Sequence, residues 1–294
     1  MKNVPESIKV RLSNQAKQTN TSLQSLLERF VIGRLLWRLS QSDQSDRFVL
    51  KGAQLFALWA DQAHRPTRDI DFLVYGDPSL SAIDSFFTNL LSSPANPDDG
   101  LVWTDIKVAP IRENQHYGGT RVNITAMLER TRIITQVDIG FGDAITPAAE
   151  QHTWKGLLDF PEAQLLTYPP ETVIAEKIEA AVELQLGNSR MKDFFDLDWL
   201  HSHRSFEYST LRQAVLNTFE RRQTPIPEDI PIFLQQTFSN NPSKVTQWNA
   251  FLKKNKLLKK DLSELLNQLT PFIMPLISPE NPTPKHWTPT KGWH

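Results

Sequence analysis

The feature of this sequence that most restricts its fold is a strand, a glycine turn, a helix and a second strand within residues 48–74. An apolar run at 48–50 leads into a turn at Gly52, an apolar segment follows over 53–59, and a second apolar run covers 69–74. Short apolar runs separated by a turn and a helical segment are typical of strands that share one sheet. We therefore expect an α+β fold with a mixed sheet and this stretch at its centre.

Two carboxylates lie at the start of the second strand. Side chains alternate along a strand, so Asp69 and Asp71 point to one face while Ile70 and Phe72 point into the core. Neighbouring carboxylates repel each other, and a bound divalent cation removes that repulsion. The pair therefore indicates a site for Mg²⁺ (or Mn²⁺) and a substrate phosphate. An exposed strand with solvated charges is the alternative.

The turn before the helix favours the same chemistry. Lys51 and Gly52 precede Ala53, where the apolar segment begins. A glycine at a helix start lets a phosphate approach the backbone N–H groups and the positive end of the helix dipole. The sequence therefore predicts a phosphate-binding turn at residues 51–53.

A third acid falls in a later strand. Strand-like runs cover 101–108, 120–128 and 132–141, and Asp138 alternates with apolar neighbours in the last of them. Sheet pairing could bring Asp138 beside the first two acids as a third metal ligand. An edge-strand position facing water is the alternative, and the spacing leaves both open.

From residue 169 onwards the pattern is mainly helical. A helix is predicted from Pro169 to about Leu186, with Gly187 as its stop signal. Lys177 lies within the apolar stripe of this helix. A lysine in that position either extends its ammonium group to water or binds an anion such as a triphosphate.

The next predicted helix carries two acids on one face. Asp193 and Asp196 are spaced i, i+3, and Lys192 can pair with Asp196 at i, i+4. Surface ion pairing of this kind is the alternative to a functional role for the two acids.

Composition limits the class of protein. The 294 residues suffice for one large or two moderate domains, and a net charge of −1 means that any nucleic-acid surface must be a local patch. The absence of cysteine excludes disulfides and thiolate metal sites. Since no apolar run approaches the roughly 20 residues that span a bilayer, we expect a cytoplasmic protein without a membrane anchor.

The same patterns divide the chain into three parts. We expect N-terminal helices and an α/β core over 1–165, a helical domain over 166–270, and a proline-rich tail over 271–294 that contains Trp287 and Trp293.

Several of these segments together resemble the AbiEii/AbiGii family of nucleotidyltransferase toxins, over roughly residues 5–200. One departure is Ala53, where many members carry a second glycine. The blocks that carry the resemblance are, in order, residues 28–40, 48–53, 65–72, 137–143, 170–177 and 188–197.

The resemblance implies a polymerase-β-like nucleotidyltransferase domain followed by a helical domain. It implies that Asp69 and Asp71 hold Mg²⁺, with Asp138 as a further metal ligand or proton acceptor. It also implies that Lys177 reaches the triphosphate and that Asp193 completes the catalytic set. The residues assigned by this resemblance to nucleotide binding are Lys51, Gly52, Ala53, Thr67, Arg68 and Asp196.

The resemblance further implies a substrate and a biological role. Family members act in toxin–antitoxin and phage-exclusion systems, and several add nucleotides to the 3′ ends of tRNA, which blocks translation. We therefore expect an NTP substrate, a tRNA acceptor and an antitoxin partner. Transfer to a protein target, a nuclease with clustered carboxylates and a non-catalytic antitoxin-binding module are the alternatives.

Overall fold

The computed structural model describes residues 3–60, 64–111, 118–278 and 285–294. The chain forms two compact units. The first comprises Met1–Gly142 and Glu150–Thr167, and the second comprises Asp143–Ala149 and Tyr168–His294. None of the described helices is both long and apolar enough to cross a membrane.

The first unit contains helices and a sheet. Its helices are α1 (Val4–Thr19), α2 (Leu23–Ser40), α3 (Phe56–Trp59) and α4 (Leu80–Ser92). Its strands are β1 (Phe48–Lys51), β2 (Asp69–Val74), β3 (Leu101–Ile111), β4 (Gly119–Leu128), β5 (Thr131–Gly140), β6 (Glu150–Trp154) and β7 (Ala163–Thr167). The three longer helices begin after residues whose side chains accept a backbone N–H, namely Asn3, Ser22 and Ser79.

Within the described residues, these strands form a seven-stranded sheet in the order β3-β4-β5-β2-β1-β7-β6. β2 runs parallel to β5 and β1 runs parallel to β7, whereas the other neighbouring pairs are antiparallel. The predicted α+β fold with a mixed sheet is therefore confirmed. β2, the strand that carries the Asp-x-Asp sequence, is the central strand of the sheet.

One face of this sheet packs against helices. Side chains of α1 and α2 form a buried core with Ala126, Leu128 and Ile133. On the same face the Phe48 ring stacks on Phe86 of α4, with ring centroids 4.6 Å apart. Along β5 the residues of this face are buried, and the alternate residues are half-buried or exposed. The acids therefore lie on the opposite face, which we call the acid face.

The second unit is mainly helical. Its helices are α5 (Pro170–Leu184), α6 (Met191–His203), α7 (Tyr208–Arg222), α8 (Gln236–Ser239), α9 (Pro242–Asn255) and α10 (Leu262–Ile277). Among the described residues it also has a small three-stranded sheet, formed by β8 (Phe206–Glu207), β9 (His286–Thr288) and β10 (Gly292–Trp293).

The C-terminal part differs from the predicted proline-rich tail. α10 continues through Pro271 and Pro275, although an interior proline costs a helix about 3 kcal/mol. Burial of four large apolar side chains in its last two turns offsets that cost. The buried side chains are Phe272, Ile273, Leu276 and Ile277. Residues 279–284 lie outside the described part of the chain.

The last ten residues are held by hydrogen bonds as well as strand pairing. The Trp287 indole donates to the carbonyl of His201 at 2.8 Å, and the Trp293 indole donates to the carbonyl of Phe272 at 3.0 Å. Residues 285–294 are therefore a strand pair bonded to the helical unit and not a separate tail.

Candidate functional site

The structure places Asp71 in a row of charged residues that crosses the centre of the sheet. Asp71 of β2 lies opposite Lys51 of β1 on one side and Asp138 of β5 on the other. Asp138 in turn lies opposite Arg121 of β4. Residues in register on neighbouring strands point to the same face, so this row forms the middle of the acid face.

Gly52 allows the backbone to approach the Asp71 carboxylate closely. Its φ is +71°, in the left-handed region that glycine adopts readily. A Cβ at this position would lie 2.7 Å from Cγ of Asp71 and closer still to Oδ2. The turn predicted at this position is therefore present. The close contact with Asp71 explains why a glycine is needed at position 52, and the sequence alone does not reveal this contact.

The segment after Gly52 is less helical than the sequence indicates. A 3-10 helix over Gly52–Leu55 is followed by α3, which has only four residues. Such short segments carry a small dipole, so the backbone N–H groups are the main contribution that this turn can offer to a phosphate.

We expect Gly52→Ala to impair catalysis more than folding. The left-handed conformation costs an alanine about 1–2 kcal/mol, and the new methyl group pushes the Asp71 carboxylate away from its position. Nucleotide transfer should fall at least about tenfold, because misplacing a reacting group by a small distance has large effects on rate. Gly118→Ala is the matched control, since a Cβ there meets no atom of the described residues within 4 Å. Equal activity of the two variants would contradict this role of Gly52.

Asp69 is exposed, and its backbone is fixed by a buried side chain. Gln54, which is 4% exposed, donates from Nε2 to the Asp69 carbonyl at 3.1 Å. The Thr67 hydroxyl donates to the same carbonyl at 3.4 Å. Arg68 forms an ion pair with Glu28 of α2 at 3.0 Å. Gln54 is a positioning residue that the sequence did not reveal, because its partner is a main-chain atom 15 residues away.

The carboxylate of Asp138 is bound by two side chains from the acid face. Arg121 donates from Nε to Oδ1 at 2.9 Å and from Nη2 to Oδ2 at 2.8 Å. Gln136 adds a bond from Nε2 to Oδ2 at 3.2 Å. The register therefore places Asp138 beside Asp71, which is one of the two positions that the sequence left open. Arg121 and Gln136 are additional site residues that the sequence analysis missed.

The first unit offers oxygen ligands for a hard divalent cation. Mg²⁺ is typically held by one or two carboxylates together with substrate phosphates and water. Asp69 and Asp71 fit that requirement, since they share the acid face and the Gly52 backbone lies against Asp71. In the part of the chain that the structure describes, no group of three or more His, Asp or Glu side chains could hold a metal ion.

The second unit brings together the other predicted catalytic residues. The ammonium of Lys177 on α5 donates to Oδ1 of Asp193 at 2.6 Å and to Oδ2 of Asp196 at 2.9 Å. Arg190 donates from Nε to the other oxygen of Asp193 at 2.7 Å. Lys177 therefore does bind an anion from within its apolar stripe, and carboxylates of α6 supply it.

These charges are buried and compensate one another. The side chains of Asp193 and Asp196 are 4% and 0% exposed, and that of Lys177 is 12% exposed. Burial by itself would raise the pKa of Asp193, but attraction to Lys177 and Arg190 outweighs it and lowers the pKa of this carboxyl. Asp196, which the sequence also allowed to pair with Lys192, accepts instead from Lys177 across the two helices.

A second charged cluster of this unit joins α5 to α7. Arg222 of α7 contacts Glu179 at 2.7 Å and Glu176 at 3.3 Å, both on α5, and Asp143 at 3.3 Å. The hydroxyl of Thr172 donates to the Thr146 carbonyl at 2.9 Å. These bonds attach the segment Asp143–Ala149, which directly follows the first unit in sequence, to the helical unit.

A family model described as the nucleotidyl transferase AbiEii toxin of a type IV toxin–antitoxin system matches residues 34–268. No curated protein matches the sequence.

Two solved structures are similar in fold. A candidate nucleotidyltransferase from H. pylori is 18% identical, with a TM-score of 0.50 over 83% of this chain and 91% of that one. JHP933 from Helicobacter pylori is 17% identical, with a TM-score of 0.50 over 83% and 88% of the two chains. At these identities the two structures support the fold alone. The family match spans well over half of the sequence, and the chain therefore belongs to the AbiEii family of nucleotidyl transferase toxins from type IV toxin–antitoxin systems.

Proposed function

We propose that this toxin transfers a nucleotide from an NTP to the 3′ end of tRNA in a Mg²⁺-dependent reaction and thereby blocks translation. The observation that carries this proposal is the Asp69/Asp71 pair on the acid face, with the Gly52 backbone against Asp71. The family supplies the class of reaction, and the pair supplies a place for it.

Asp69 and Asp71 are the residues that would hold the Mg²⁺ ion (or Mn²⁺). When bound, such an ion neutralises charge on the triphosphate and on the leaving pyrophosphate. The turn at residues 51–53 lies next to this pair, so we assign it to the phosphates of the NTP. Lys51, directly opposite Asp71, places a positive charge on the same side.

The bond changes are those of a nucleotidyl transfer. The oxygen of the acceptor hydroxyl bonds to the α-phosphorus, the bond from that phosphorus to the β-phosphate oxygen breaks, and pyrophosphate leaves. The hydroxyl proton passes to a base, for which solvent and an acid-face carboxylate are candidates. The chain contributes orientation and charge compensation, which dominate catalysis of phosphoryl-type transfers.

The predicted contact between Lys177 and the triphosphate remains a prediction. Its ammonium already binds Asp193 and Asp196 at 2.6 and 2.9 Å, so a phosphate would have to compete with two carboxylates. Arg190, whose side chain is 39% exposed, adds a second cation to this cluster.

Three further expectations belong to the same proposal. The family is defined by toxin–antitoxin systems, which supports an antitoxin partner. A tRNA acceptor places the protein in the cytoplasm. Because the net charge is −1, contacts with RNA must come from a local group of basic residues.

The test is to incubate the protein with total tRNA, Mg²⁺ and each NTP in turn, and to measure the mass of the RNA 3′ end. We expect an increase with one or more NTPs, accompanied by pyrophosphate and abolished by EDTA. Label appearing in protein would favour transfer to a protein target instead. Shortened RNA would favour a nuclease, and no turnover of any NTP would favour a non-catalytic antitoxin-binding module.

A further inference from the structure

Asp138 is the acid whose role the sequence left open, and its environment bears directly on that question. Its two carboxylate oxygens accept three hydrogen bonds, two from Arg121 and one from Gln136. The two bonds from Arg121 are parallel and bidentate, at 2.9 and 2.8 Å, and charge-assisted pairs of this geometry are among the strongest in proteins.

The position of Asp138 means that its bonds to Arg121 affect whether it can bind a metal ion. Asp138 lies directly opposite Asp71 on a neighbouring parallel strand, and such strands are about 4.8 Å apart. From that position a carboxylate could share a metal ion with Asp71. A guanidinium stays protonated at any physiological pH, so Arg121 competes for this carboxylate under all conditions in which the enzyme works.

We infer that Arg121 holds Asp138 away from the metal ion, so that among the described acids only Asp69 and Asp71 bind it. This inference rests on the proposed function, because it concerns the ion assigned there. Fewer protein ligands leave more coordination positions for the triphosphate and for water, as Mg²⁺ sites of this kind require. Arg121 is thus a positioning residue that acts through Asp138.

The arrangement also solves an electrostatic problem in the resting protein. Asp71 and Asp138 are like charges in register on adjacent strands, and directly opposed like charges destabilise a sheet. Lys51 on one side and Arg121 on the other place a cation opposite each acid. The row of four residues therefore has its two acids in the middle and one compensating cation at each end.

The inference can be tested by direct binding of Mn²⁺ alone to the full chain, with the free ion measured by electron paramagnetic resonance. Asp71→Asn should weaken binding at least about tenfold, whereas Asp138→Asn should weaken it about threefold or less, because it removes a nearby charge that does not contact the ion. Arg121→Met releases Asp138, so this variant should bind Mn²⁺ about tenfold more tightly through the added carboxylate. The gain should disappear in Arg121→Met/Asp138→Asn.

Arg132→Met is the matched control for the loss of a positive charge. Arg132 is exposed on the same strand and face as Asp138, so its removal should change Mn²⁺ affinity less than about twofold. If Asp138→Asn weakens binding as much as Asp71→Asn, or if Arg121→Met leaves the affinity unchanged, the inference is overturned.

Failure of the proposed function gives a different pattern. If the wild-type chain binds no Mn²⁺, or if Asp71→Asn has no effect, the metal site itself is wrong and the inference falls with it. Thermal unfolding of each variant, measured by circular dichroism, separates lost binding from lost structure. If Arg121→Met unfolds, the comparison of Asp138→Asn with Asp71→Asn still decides the inference.

Discussion

Asparagine at position 71 should reduce pyrophosphate release at least about a thousandfold, equivalent to roughly 4 kcal/mol of transition-state stabilisation. The substitution keeps the shape of the side chain and removes the negative charge that holds the ion. Asp71 is half-buried, lies in register with Asp138 and sits against the Gly52 backbone, so its carboxylate has a fixed position in the assigned site. The effect is measured as the initial rate with the NTP and the acceptor RNA that the tRNA incubation identifies.

The folded state should tolerate this change. Asparagine fits the same volume, and loss of one charge relieves repulsion between the acids of neighbouring strands. We therefore expect the thermal unfolding midpoint to stay within a few degrees of the wild-type value. Asp69→Asn should lower the rate in the same way.

Asp105→Asn is the control for this pair of variants. Asp105 lies on the acid face in β3, and its side chain is 43% exposed and paired with Lys107 at 3.3 Å. Surface pairs of this kind contribute little, so activity should change less than about twofold. Full activity of Asp71→Asn, or an equal loss in Asp105→Asn, would refute the assigned site.

The hairpin of β4 and β5 shows how much of the site the sequence already determined. Leu128 pairs with Thr131 across a two-residue turn, and Glu129 has a φ of +56°, as tight hairpin turns require. Counting back from such a turn places Arg121 opposite Asp138. The strand patterns were recognised from the sequence, but without the turn their register was unknown, and Arg121 was therefore missed.

The strand register in other parts of the site could not be obtained by counting residues from a turn. Lys51 and Asp71 face each other across a connection of 17 residues between β1 and β2, and no local pattern fixes that register. β6 and β7 were missed because β6 is a short, mostly polar edge strand and β7 pairs with the distant β1. Periodicity identifies strands and their faces, whereas pairing between distant segments depends on packing of the whole sheet.

The acid-bound lysine of the helical unit illustrates the same limit. The sequence places Lys177 among apolar residues, where its ammonium group either extends to water or binds an anion, and it places Asp193 and Asp196 on one helix face. That these three side chains meet is a property of how α5 packs against α6, which no spacing within either helix reveals. Their contacts lead to the second large effect that we expect.

Replacement of Lys177 by methionine should lower the free energy of unfolding by about 3–5 kcal/mol. The change removes the cation that Asp193 and Asp196 share and leaves two carboxylates buried at 4% and 0% exposure without that compensation. Arg190, which contacts Asp193 at 2.7 Å, is half-exposed and remains as a cation of this cluster. Urea unfolding followed by tryptophan fluorescence measures the loss, and Lys192→Met, an exposed position on α6, should cost less than about 0.5 kcal/mol.

The pH dependence of this loss distinguishes an electrostatic cause from a packing defect. The pKa of Asp193 is lowered in the folded wild-type protein, so its contribution is present above the unfolded value of about 3.9 and is lost as the pH falls through the folded value. In Lys177→Met the two carboxyls can escape the cost of burial by taking up protons, which becomes easier as the pH falls. The difference in unfolding free energy between the two proteins should therefore be largest near pH 7 and smaller near pH 4. A difference that is the same at both pH values would mean that the lysine stabilises the unit through its aliphatic chain and not through its charge.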